Sequence, residues 1–104
     1  MAEQAAVPQP DANSSPENGD DLQALRVQID ATDREIVDAL NRRARLALAV
    51  GEVKKRTQAP VYRPEREAQI MAALRARNAG PLSGDALEAI YREVVSACRE
   101  LERR

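Results

Sequence analysis

Apolar residues recur at helical spacing from Leu22 through Leu25, Ile29, Ile36, Leu40, Ala47 and Val50 to Val53, and no proline interrupts them. That uninterrupted period constrains the fold more than any other feature. Asp20 is placed to cap the start, with Gln23 three residues later, and Gly51 is the one weak point before about Arg56. The spacing predicts a single helix of roughly 35 residues, about 50 Å long. A helix draws most of its stability from packing an amphipathic face, and this one is too long to be covered by what remains of a 104-residue chain. The geometry therefore predicts that it packs against a second copy of itself, with twofold symmetry as the commonest arrangement.

Two shorter helices follow. Gln58, Ala59 and Pro60 end the first helix, and Pro64 suits the first position of a second that runs to about Asn78, where "NAGP" supplies a glycine stop followed by proline. Ser83 is placed to cap a third, whose apolar stripe is Leu87, Ile90, Tyr91, Val94, Val95, Cys98 and Leu101. No strand pattern competes, so the fold class is all-α: three helices, one long and two shorter, in a homodimer. Residues 1–20 read as a disordered acidic tail and residues 21–104 as the folded domain. The stretch "MAEQAAVPQPDANSSPENG" has too little to bury to offset the entropy of ordering it.

Composition narrows the chemistry. The chain has no histidine and a single cysteine, Cys98, so an internal disulfide is impossible, a metal site is not expected, and the commonest general base near neutral pH is missing. With two Tyr and no Phe or Trp there is little for bases to stack on, and no nucleic-acid partner is expected. No apolar run is long enough to span a bilayer, and the N-terminus has neither the basic patch nor the hydrophobic stretch of a secretory signal. A cytoplasmic protein with no membrane partner is the expectation. The net charge of −1 hides an asymmetry, because the first 21 residues hold five acids and no base, leaving 16 basic against 12 acidic residues in the rest. Such a balance favours small anionic ligands.

Charged residues lie where a helix should bury apolar ones. Arg43, Ala47, Val50 and Lys54 share one stripe of the first helix, with Arg43 and Lys54 some 16 Å apart along its axis, close enough for both to lean toward one point. A single such residue is more often a snorkelling one, and Arg42, Arg45, Lys55 and Arg56 are assigned to solvent. Two other stretches repeat the pattern. Arg66 lies in line with Ile70 and Ala73, Glu67 with Met71 and Leu74, and Tyr91, Val95, Cys98 and Glu102 repeat the four-three-four spacing of the first helix. Unpaired, each buried charge would cost several kcal/mol, roughly, so these groups need one another or a polar ligand. Arg26 stands about 100° around the first helix from Arg43 and does not face the same spot within one chain.

In order and spacing, "LRVQIDATDREIVDALNRR", "LAVGEVK", "PVYRPERE" and "YREVVSACRELE" resemble the all-helical chorismate mutases, over residues 22–102. The segment also resembles the mutase domain at the front of fused chorismate mutase and prephenate dehydratase chains, of which it could be a piece. The resemblance implies an intertwined dimer with two equivalent sites, no cofactor, and the small dianion chorismate as substrate. Arg43 and the partner subunit's Arg26 match the arginines that hold the two substrate carboxylates, and Lys54 matches the lysine that contacts a carboxylate and the ether oxygen. Glu67 matches the carboxylate that binds the ring hydroxyl, and Arg66 the arginine beside it. Arg63 stands where some members have Asp, Cys98 where a small hydroxyl residue can occur, and Glu102 where Gln or Glu donates to the ether oxygen. Lys54, Glu102 and Arg43 are thus the expected catalytic residues, and Arg26, Arg63, Arg66, Glu67 and Cys98 complete the expected substrate-binding set. Two other readings remain open: an isochorismate pyruvate lyase with a similar cationic pocket, and a catalytically silent helical dimer whose charges pair across subunits.

Overall fold

The computed structural model describes residues 19–104, and the expected disordered tail lies outside the described residues except at its last two positions. Helix α1 spans Gly19–Thr57, so Gly19 and Asp20, expected in the tail, are helical and Asp20 lies in the first turn. Asp20 and Asp21 in that turn oppose the positive end of the helix dipole, while Lys54, Lys55 and Arg56 occupy its negative end. Helix α2 spans Pro64–Arg77, with Asn78 as its C-cap, and helix α3 spans Gly84–Glu102. The Ser83 hydroxyl caps α3 by accepting the Ala86 N–H at 3.0 Å, as the sequence predicts. Among the described residues there is no strand, and the all-α expectation stands.

The chain divides between Ala39 and Leu40 into two compact units. In the first, the large apolar side chains of α1 face solvent, from Leu25 at 37% exposed to Ile29 at 57%. The second unit holds the remainder of α1 with α2 and α3. Its buried apolar side chains are Ala47, Val95 and Cys98, with Gly51 buried beside them, while Leu46, Leu48, Val50 and Val53 remain exposed. So small a core matches the expectation that one copy cannot cover this apolar surface.

Helices α2 and α3 pack as an antiparallel hairpin. Its two ends are marked by charge: Glu67 near the start of α2 meets Arg99 near the end of α3, and Arg75 near the end of α2 meets Asp85 and Glu88 at the start of α3. The connecting loop is held by Asn78, whose side-chain amide donates to the Leu82 carbonyl and whose side-chain oxygen accepts the Gly80 N–H. In α2 the proline at N1 and the acids Glu65 and Glu67 in the first turn are what a helix start favours.

Candidate functional site

The site grows from the end of α1. Gln58 takes a left-handed backbone conformation, φ 60°, and the Ala59 N–H reaches back to the Lys54 carbonyl at 3.0 Å, the six-to-one bond that stops a helix and reverses the chain. The reversal brings the Val61 carbonyl to 3.0 Å from Lys54 Nζ, which donates to it. One turn earlier, Gly51 admits the last turn of α3. A Cβ built at Gly51 would stand 2.6 Å from the Glu102 carbonyl oxygen and 2.9 Å from its Cα, distances no side chain can occupy. Glycine therefore lets α3 end on α1, and Glu102 Oε1 comes to 2.6 Å from Lys54 Nζ. An ammonium has three N–H donors, so with Val61 and Glu102 as acceptors one direction remains for a ligand. Both side chains are largely shielded, at 17% and 18% exposed.

A second pair stands between α2 and α3. Arg99 grips Glu67 with both arms of its fork, Nε to Oε2 at 3.0 Å and Nη2 to Oε1 at 2.9 Å and Oε2 at 2.8 Å. Its guanidinium lies 4.8 Å from the centre of the Tyr62 ring, so the arginine is braced from two directions. Arg43 lies 5.6 Å over the Tyr91 ring, which answers why it can point inward from an apolar stripe. Arg63 donates through Nε to Glu65 at 3.1 Å. A backbone hydrogen bond and then Arg63 hold the Glu65 carboxyl below its usual range.

These side chains line one groove of about 490 Å³. Arg43, Lys54, Arg63, Arg66, Glu67, Cys98 and Glu102, all expected from sequence, are brought together in it over a floor that includes Ala47, Val50 and Val95. Arg66 is exposed at its edge, and Cys98 is both groove wall and core. Arg42, Arg45, Lys55 and Arg56 are exposed, as expected. Arg26 is exposed in the first unit and is not among the groove residues. The groove holds five basic and three acidic side chains, a formal excess of two positive charges. A surplus of that sign suits an anionic ligand, and planar guanidinium forks match carboxylates.

Sequence reasoning missed Arg99. The signal was there: Arg99 follows Val95 by four residues, so it borders the apolar stripe of α3 as Lys54 follows Val50 in α1. Among the described residues no cluster of three or more His, Cys, Asp or Glu is arranged to hold a metal.

The sequence profile of type II chorismate mutase matches residues 25–103. A bifunctional chorismate mutase/prephenate dehydratase from Stutzerimonas stutzeri is 42% identical over 88 residues, which is 80% of this chain and 24% of that protein. The chain thus spans about a quarter of the length of the curated relatives it matches. The chorismate mutase of Thermus thermophilus in its form II structure superposes with a TM-score of 0.78 at 35% identity, covering 80% of this chain and 94% of that one. The Helicobacter pylori chorismate mutase in complex with prephenate gives 0.72 at 36% identity, covering 78% and 88%.

Proposed function

Because the chain belongs to the type II chorismate mutase family, we propose that it rearranges chorismate to prephenate as a step toward phenylalanine and tyrosine. The observation that carries this reading is the groove's excess of two positive charges, matched to a substrate with two carboxylates. The reaction breaks a C–O bond as a C–C bond forms within one molecule. It needs no nucleophile, metal or proton relay, only a flexible dianion held compactly with its reacting carbons close.

Arg43, steadied over Tyr91, holds one carboxylate. Lys54 directs its remaining N–H toward the substrate's ether oxygen, where negative charge grows as the bond lengthens, and so stabilises the transition state more than the ground state. Glu102 flanks the same oxygen and donates to it only when protonated, since a carboxylate has no proton to give. Glu67 accepts the ring hydroxyl, Arg63 and Arg66 line the mouth of the groove, and Cys98 fills its wall.

The working form is an intertwined homodimer in which the partner subunit's Arg26 binds the second carboxylate. Support comes from the apolar side chains that α1 leaves exposed in a single copy, which a second long helix would cover. A cytoplasmic setting fits the lone free Cys98 and the fact that no described helix is long and apolar enough to cross a membrane.

Incubation with chorismate, with products separated and identified, tests the reaction: prephenate is expected, and intact chorismate would refute it. Subunit mixing tests the shared site. Arg26→Ala and Arg43→Ala proteins, each inactive alone, should regain activity once their subunits exchange, because one hybrid site is then whole. Confirmed exchange without recovery would exclude the donation of Arg26.

A further inference from the structure

We infer that Arg99 is a specificity-determining residue: by neutralising Glu67 it sets the groove to accept a substrate ring carrying a neutral hydroxyl and to discriminate against one carrying an ammonium. The inference rests on the mutase reading, and it concerns a pair no expectation from sequence included.

The geometry is that of a charge-cancelling clamp. Arg99 contacts both oxygens of Glu67 at 2.8–3.0 Å, and the two side chains are each 24% exposed, screened from water enough for the pairing to matter. Stacking on Tyr62 at 4.8 Å fixes the guanidinium plane and keeps the fork on its carboxylate. Both residues of the pair line the groove and also a second cavity of about 390 Å³. A carboxylate offers about four lone-pair sites, and the fork leaves room for one more donor. A hydroxyl can take that place without needing a countercharge.

An ammonium behaves differently. Facing a lone carboxylate it would gain a full ion pair, whereas facing a carboxylate already matched by Arg99 it meets a local charge of zero and a guanidinium of its own sign. Arg99 is therefore the repulsive element that turns affinity into discrimination. Neither atoms nor protons change hands in this role. Arg99 acts through Glu67 and does not touch the reacting bond.

The test compares chorismate with its analogue bearing an ammonium in place of the ring hydroxyl, each assayed on the same preparation of wild type, Arg99→Leu, Arg99→Gln and Arg99→Lys. The readout is the ratio of kcat/KM for the two substrates, from which any unfolded fraction cancels. Both neutral variants should shift the ratio toward the ammonium substrate by about tenfold or more, while Arg99→Lys, which keeps the charge but loses the fork, should shift it less than either. In a Glu67→Gln background the shift caused by Arg99→Leu should vanish. Where turnover falls below detection, the ratio of dissociation constants for the two substrates by titration calorimetry decides in the same way. An unchanged ratio in both neutral variants, as a purely structural arginine would give, overturns the inference. A wild type that converts neither substrate overturns the mutase reading instead.

Discussion

The two ends of the α2–α3 hairpin are built from the same residue types and do opposite things. At the loop end Arg75 pairs with Asp85 and Glu88, and Arg92 pairs with Glu88 at 2.9 Å, so two cations meet two anions and nothing is left over. Three of the four side chains there, Arg75, Asp85 and Arg92, are open to water and only Glu88 is covered, and pairs so exposed contribute little. At the groove end Lys54–Glu102 and Arg99–Glu67 are sheltered on both sides while Arg63–Glu65 is open, and five cations surround three anions. Charges that balance in the open join helices, whereas an unbalanced surplus under partial cover waits for a ligand. Position along the hairpin, and not residue type, separates the two.

The largest effect is expected at Lys54. Lys54→Ala should reduce kcat/KM by at least about a hundredfold, the scale set by removing one donor to a developing oxyanion. Chorismate consumption measures it, and a loss below tenfold would remove Lys54 from the role. Gly51→Ala comes next, because the new Cβ cannot coexist with the Glu102 backbone at 2.6 Å. It should displace the end of α3, lowering turnover by about tenfold through misplacement of Glu102 and stability by about 1–3 kcal/mol, the latter read by urea denaturation. Normal kinetics in a folded Gly51→Ala protein would separate Glu102's placement from activity.

Glu102→Gln sharpens the chemistry at the same end. The amide keeps a donor beside the ether oxygen and alanine does not, so Glu102→Gln should retain at least about tenfold more kcat/KM than Glu102→Ala. Equal losses in the two variants would dismiss donation from this position.

Arg75→Ala at the loop end should have the smallest effect, leaving kcat/KM within about twofold because no groove residue is touched. Its mark is on acid stability. A hydrogen bond and charge from Arg75 hold the Asp85 carboxyl below the usual aspartate range, so the stabilisation exists at neutral pH and disappears as pH falls through that lowered value. Without Arg75 the acid-unfolding midpoint should move to higher pH, which circular dichroism against pH would follow. A large loss of activity would mean that the two ends are not independent.

Much of this was legible before any coordinates. Pro64, Ser83 and the residues 58–60 mark helix boundaries through local backbone chemistry, and the structure departs from them by only a residue or two, at Gly19 and Arg77. Arg43 and Lys54 announced themselves by sharing a stripe with Ala47 and Val50. Gly51 was read as a weak point in a helix, and its real part, admitting the end of α3, was hidden because the backbone it meets is that of Glu102. Arg99 was overlooked for a similar reason: its partner Glu67 lies 32 residues away, and no local rule joins them.

The amino-acid order by itself determined three helices, their ends, and the set of charged side chains carried on apolar faces, since each follows from 3.6-residue periodicity and capping within a few neighbouring residues. Only the tertiary structure decided which charges meet: Lys54 with Glu102 across 48 residues, and Glu67 with Arg99. Coulomb forces and hydrogen bonds act over a few ångströms of space whatever the separation along the chain, so the pairing exists only after packing has brought the helices together.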